Sequence, residues 1–205
     1  MKKATILFIL AASFIMLLAK RDFSEELMYL AAKDSSLIEI FVERGSVLIQ
    51  PTQNDSIFVY CVKSAKEGFS AESVKISVEN PDSLLVKIKC GFPSEDGDYS
   101  GNLEVLIPEK MFLKSVLTTE GDINIQMDSV GVDTLRVKTI KGDISFSGGE
   151  KTNGEIIMTV EEQTVMKSDS CSSCSGCRQK EKRVLFKEGL SKIFLVVVEG
   201  NIEVK

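Results

Sequence analysis

The sequence predicts an all-β protein, a solenoid-like stack of short strands preceded by an N-terminal hydrophobic helix, and three observations support this. Apolar residues alternate with other residues along most of the chain, a glycine-polar-apolar unit recurs six times, and its two clearest copies stand 21 residues apart. A β-sandwich whose hairpins share glycine turns is the alternative arrangement.

Residues 1–21 read as a signal peptide or signal anchor. Lys2 and Lys3 give a basic start, Ala4 to Ala19 carry no charge, and Lys20 with Arg21 close the segment. Sixteen residues of helix span about 24 Å against roughly 30 Å of bilayer hydrocarbon, long for a signal core and short for a relaxed transmembrane helix. Leu17 stands where a cleavage site before Lys20 would want a small residue, which favours an uncleaved anchor. Export follows from either fate, with a membrane-anchored, periplasmic or extracellular location. Residues 22–35 read as a juxtamembrane helix or linker: Asp22 can cap it with Glu25 returning the bond, and Phe23, Leu27, Leu30 and Ala31 follow helical spacing.

Residues 36–205 form the β-repeat domain. Ile38, Ile40 and Val42 alternate with other residues, as do Ile57, Val59 and Cys61, then Val74, Ile76 and Val78, then Val86, Ile88 and Cys90. Asn80-Pro81-Asp82-Ser83 predicts a hairpin turn, because proline presets φ and the Asn and Asp side chains bond nearby backbone. Gly91 to Gly101, with Pro93, Asp96, Gly97 and Asp98, has the composition of an exposed loop. The repeated unit begins at Gly45, Gly101, Gly121, Gly142, Gly154 and Gly200, each followed by a small polar or acidic residue and then alternating apolar positions. Such a glycine marks a corner: it permits positive φ, the polar residue bonds the turn, and the next strand resumes. Stacked units would align their apolar positions into one core, each buried Val, Ile or Leu contributing roughly 1.5 to 3 kcal/mol before entropy is subtracted.

The stretches Leu103 to Pro108, Val116 to Ile123 and Leu135 to Ile144 resemble the "putative adhesin" domains of the DUF4097 type and related bacterial envelope β-repeat proteins. The likeness covers Ile38 to Lys205 and is strongest over 101–147. It implies a right-handed β-solenoid-like fold and an adhesin-like or envelope-stress role, and it brings no catalytic residues to transfer. The chain departs from that pattern at about 161–191, where an insertion interrupts the repeats.

That insertion contains Cys171, Cys174 and Cys177 at two-residue spacings, which can place thiolates around one Zn ion or Fe–S cluster. The pattern lacks the fourth cysteine of a ferredoxin and is flanked by Ser168-Asp169-Ser170 and Arg178 to Arg183, so a solvated loop and a thiol-exchange site stand as alternatives. Cys61 and Cys90 occupy apolar alternating positions and read as buried small hydrophobes. Their pairing as a disulfide is the alternative, contributing roughly 3 to 4 kcal/mol on the chain-entropy model. Asp122 and Asp143 recur at one position of the unit. Stacked carboxylates can bind calcium, but turn chemistry explains them better, since other copies carry Ser, Asn and Glu there. Phe41, Phe58, Phe146 and Phe194 lie in expected strands as core or stacking residues.

The chain has no histidine, which excludes Ser-His-Asp and Cys-His catalysis and His-based metal sites. Its formal charge of -5 comes with interleaved acids and bases and no basic stripe, so nucleic acid is not an expected partner. The expected function is therefore non-enzymatic: an envelope or surface protein, held in the membrane by its N-terminal helix, whose repeats present a face to an envelope protein or glycan. A thiol- or metal-dependent module and a self-associating structural protein are the two competing readings.

Overall fold

The structure is a computed structural model that describes residues 21–31, 36–82, 84–94, 96–127, 134–148, 154–163, 177–186 and 191–204. Among the described residues, fifteen strands follow one another: β1 (Arg21–Ala31), β2 (Leu37–Arg44), β3 (Val47–Thr52), β4 (Ser56–Lys66), β5 (Lys75–Asp82), β6 (Leu85–Gly91), β7 (Ser100–Pro108), β8 (Phe112–Glu120), β9 (Ile123–Met127), β10 (Thr134–Lys141), β11 (Ile144–Gly148), β12 (Gly154–Gln163), β13 (Cys177–Phe186), β14 (Ser191–Glu199) and β15 (Ile202–Val204). One 3-10 turn, Ala71–Ser73, stands between β4 and β5, with the Ser70 side chain accepting from the Glu72 N–H.

The strands form two mixed sheets. A seven-stranded sheet runs β1-β4-β7-β3-β9-β11-β15, and an eight-stranded sheet runs β13-β12-β14-β10-β8-β2-β6-β5. The period-two pattern sends one set of side chains from each sheet into a single shared core. Ile38, Ile40, Val42, Val116, Val137 and Leu195 enter it from one side, and Val47, Ile49, Ile123, Ile125, Ile144 and Phe146 from the other. Parallel pairing runs from β7 to the edge strand β15 in the seven-stranded sheet and through the middle of the eight-stranded one, with antiparallel pairs β1–β4, β4–β7, β5–β6 and β12–β13 at the remaining flanks.

Four of the predicted corners carry the chain from one sheet to the other, β2 to β3, β8 to β9, β10 to β11 and β14 to β15. At these corners Gly45, Gly121, Gly142 and Gly200 have φ between 140° and 148°, a region that a Cβ closes. The corners also stack directly: a Cβ on Gly121 would stand 2.2 Å from the Gly45 carbonyl oxygen, and one on Gly142 would stand 2.3 Å from that of Gly121. The residue after the glycine bonds the neighbouring corner. The Ser46 N–H donates to Asn102 Oδ1 at 2.9 Å, the Asp143 N–H to Asp122 Oδ1 at 2.8 Å, and the Asn201 N–H to Asp143 Oδ1 at 2.7 Å. Thr139 Oγ1 adds a bond to the Gly121 carbonyl at 3.0 Å.

Three expectations are corrected. The fold is a two-sheet, sandwich-like arrangement and not a right-handed solenoid. The four corners stack in sequence order, Gly45, Gly121, Gly142, Gly200, but a coil also requires every strand to continue the rungs, whereas β7 lies between β3 and β4 and the antiparallel pairs β1–β4, β4–β7, β5–β6 and β12–β13 extend the sheets. The helix expected within 22–35 is absent over Arg21–Ala31, which is β1, paired with β4 along all of its length. A helix of two to three turns gains little without packing, while the strand gains a full ladder. Asp22, expected to cap that helix, instead accepts from the Ala71 N–H at 2.7 Å. Gly101 and Gly154 are strand residues and not positive-φ corners. The N-terminal hydrophobic helix of residues 1–20 lies outside the described residues, and no helix among those described is long and apolar enough to cross a membrane.

Replacing Gly142 by Ala should lower stability by roughly 3 kcal/mol or more, because strained φ and a backbone clash add. Gly68→Ala also sits at positive φ but meets nothing within 4 Å, so it should cost only about 1 to 2 kcal/mol. Urea midpoints of the two variants make the comparison, and equal losses would show that the corner stack does not constrain the fold.

Candidate functional site

The outer face of the seven-stranded sheet carries an aromatic and aliphatic band that its alternation does not require for the core. One row across the sheet runs Leu27, Tyr60, Glu104, Leu48, Asn124, and the next runs Tyr29, Phe58, Leu106, Gln50. Their chain neighbours Met28, Val59, Val105 and Ile49 point inward to the core, which fixes this second set outward. Leu27 and Tyr29 are 63% and 77% exposed, and Phe58, Tyr60, Leu106 and Leu48 are half-buried. A shallow groove of about 330 Å³ runs beside them, lined by Leu48, Tyr60, Val62, Asn102, Glu104 and Asn124.

Carboxylates border this band. Burial first, then a hydrogen bond donated to Glu25 and the charges of Glu25 and Glu104, push the Tyr60 phenol up to about 12. Its hydroxyl is held as a neutral donor between two acids. Across the sheet edge, Glu26 turns inward and pairs with Lys63, whose side chain is only 7% exposed. β1 itself pairs with β4 alone among the described residues, so its outer edge presents unpaired backbone groups next to Leu27 and Tyr29.

The outer face of the eight-stranded sheet is different in kind. Glu39 bonds Lys114 at 2.8 Å and Lys87 at 3.5 Å, and Glu79 bonds Lys89 at 3.0 Å. The Lys114 hydrogen bond holds the Glu39 carboxyl below its ordinary range. Phe41 and Leu117 are exposed and directly opposed across β2 and β8, with Lys89 and Lys138 flanking them in the same row, and Ile140 is exposed on β10. A groove of about 810 Å³ lies at one end, lined by Glu43, Ser70, Glu72, Lys75, Lys89 and Phe92. The Phe92 ring is already engaged, stacked on Tyr99 with centroids 6.0 Å apart and with the Arg44 guanidinium 5.7 Å from its centroid. It offers no free aromatic platform.

The residues singled out in the sequence are dispersed. Cys171 and Cys174 lie outside the described residues, and Cys177 opens β13. Cys61 and Cys90 are fully buried free thiols on different sheets, both against Gly101, whose carbonyl accepts from Cys90 Sγ at 4.0 Å. Asp122 and Asp143 accept backbone N–H bonds in the corner ladder, and no group of three metal-ligating side chains occurs among the described residues. Of the four expected core aromatics, Phe146 is buried, Phe58 and Phe194 are half-buried, and Phe41 is exposed. Sequence reasoning missed Leu27, Tyr29 and Tyr60, because β1 is apolar on both faces and its spacing fits a helix as well as a strand.

No family model matches the chain, and no curated protein does. Among solved structures, the chain is similar to a "putative cell adhesion protein" of Clostridium sporogenes, at 9% identity and a TM-score of 0.48 over 90% of this chain and 99% of that one. It is also similar to "putative adhesins" of Bacteroides fragilis (9% identity, TM-score 0.34, 89% and 97% covered) and Parabacteroides merdae (14%, 0.34, 89% and 78%). These likenesses are too distant to carry a role to this chain.

Of the three tyrosines, Tyr60 should ionise only near pH 12. With its folded pKa raised, its contribution to stability is complete below the ordinary phenol value of about 10 and is lost as pH rises through 12. Phenolate absorbance in a rapid pH jump reads this step. Tyr60→Phe should remove it and Glu25→Gln should move it to lower pH, whereas an unchanged step in Tyr60→Phe would refute the assignment.

Proposed function

We propose that the protein is a non-enzymatic scaffold of the cell envelope, exported and held there through its basic-apolar-basic N-terminal segment, that binds a protein partner through the β1 side of the seven-stranded sheet. The observation that carries this reading is the exposure of Leu27 and Tyr29 beside the half-buried Phe58 and Tyr60. Two large, solvated apolar side chains adjoining an aromatic band form a contiguous patch of the kind that marks interaction surfaces.

The partner's chemistry follows from the border of the patch. Glu25 and Glu104 flank Tyr60 and the whole chain is acidic, so the complementary surface carries apolar side chains with Lys or Arg beside them. The unpaired edge of β1 suits an extended segment that adds a strand to the sheet while its alternate side chains meet Leu27 and Tyr29. The absence of histidine from the chain supports a binding role over general acid–base chemistry.

The test compares the wild-type chain with Leu27→Ser/Tyr29→Ser in crosslinked pull-downs from the native envelope, followed by affinity measurement on the partner recovered. Loss of two anchor side chains should weaken binding by about 30-fold or more, equivalent to roughly 2 kcal/mol, with the thermal midpoint little changed because both residues are exposed. Equal recovery and equal affinity in the two chains would overturn the proposal.

A further inference from the structure

We propose that Cys61 and Cys90 are joined in the mature protein by a disulfide bridging the two sheets, formed by exchange with a small-molecule or protein disulfide of an oxidising compartment. The two cysteines come from different layers, Cys61 from β4 in the seven-stranded sheet and Cys90 from β6 in the eight-stranded sheet. In its own sheet, each continues a row of core residues. Cys61 lies beside Leu103, Val47 and Ile123, and Cys90 beside Val42, Thr118 and Thr139. Those rows meet across the core through aliphatic and threonine side chains, and at their β4–β6 end sulfur faces sulfur.

Gly101 makes this approach possible. A Cβ there would stand 2.3 Å from Cys90 Sγ and 3.4 Å from Cys61 Sγ, so any larger residue would displace the thiols. Both sulfurs converge on that space, and Cys90 Sγ donates to the Gly101 carbonyl oxygen at 4.0 Å. A disulfide needs the sulfurs about 2.05 Å apart, so side-chain rotation and an approach of the two strands close the bond.

The exchange balances as follows. One of the two cysteines, as thiolate, attacks one sulfur of the incoming disulfide, whose S–S bond breaks and releases one thiolate. The other gives up its proton and attacks the protein sulfur of the mixed disulfide, releasing the second thiolate. Two protein thiols are oxidised and one external disulfide is reduced to two thiols. Neither cysteine reaches solvent in the folded state, so the exchange takes place while the chain folds. Ala71 and Val74, both buried, belong to the cover that then seals the bridge from reductant.

The full chain, refolded in a glutathione redox buffer, quenched with N-ethylmaleimide in denaturant and digested, tests this by peptide mass mapping. The expected result is a reducible peptide pair joining Cys61 to Cys90, with a higher thermal midpoint than the same chain refolded with reductant. Cys171→Ser/Cys174→Ser/Cys177→Ser should retain the bridge and Cys90→Ala should lose it, with Cys61→Val as the substitute should Cys90→Ala not fold. Recovery of both Cys61 and Cys90 as N-ethylmaleimide adducts from the wild-type chain, or of either one paired with Cys171, Cys174 or Cys177, overturns the proposal.

Discussion

Each glycine corner sets a bare α-carbon against the carbonyl of its neighbour, and the rest of the fold is built outward from that contact. A Cβ on Gly45, Gly121, Gly142 or Gly200 would fall within 2.3 Å of the carbonyl oxygen of the glycine next to it in the stack, so the corners pack at backbone distance. Backbone bonds follow the same spacing. The Gly45 N–H donates to the Glu120 carbonyl at 2.7 Å, that of Gly121 to Lys141 at 2.8 Å, and that of Gly142 to Glu199 at 2.9 Å. With the corners aligned, the strands leaving them are parallel and in register, and Val47, Ile123, Ile144 and Ile202 fall into one row.

Register in turn decides which side chains the protein hides and which it shows. In a strand a slip of one residue exchanges the two faces, and the corner stack prevents that slip in the middle of both sheets. At the β1 flank a different constraint operates. Lys63 points inward and meets Glu26, a pair that is costly to bury but far more costly to break, and it holds Glu26 on the inner face. Leu27 and Tyr29 are thereby held outward, where they make the aromatic band continuous with Tyr60 and Phe58.

The two outer faces then take different characters from the same alternation. On the eight-stranded sheet, Lys87, Glu39 and Lys114 neutralise one another, and the exposed pair of Phe41 and Leu117 is closed off in its row by Lys89 and Lys138. On the seven-stranded sheet the apolar residues adjoin, and the acids sit beside them. The face with the aromatic band is also the one that borders β1, which pairs with β4 alone among the described residues.

The sequence by itself determined the strands and the corners, because period-two alternation and a glycine followed by a polar residue are local signals with a local physical cause. Ile38, Ile40, Val42, Ile57, Val59, Val86 and Ile88 are buried as their spacing requires, and Asp122 and Asp143 bond the turns as their chemistry suggests. The tertiary structure alone decided how the units assemble. A near-regular period does not specify whether every strand joins the stack: the parallel pairing of β3 with β7 places Gly101 beside Gly45, and the antiparallel pairing of β4 with β7 ends the coil reading. It also decided β1, since a segment apolar on both faces becomes strand or helix according to whether a ladder is available, and β4 offers one. The meeting of Cys61 with Cys90 was equally beyond the sequence, because proximity across two sheets depends on which strands face each other and on the space left by a glycine that belongs to neither strand.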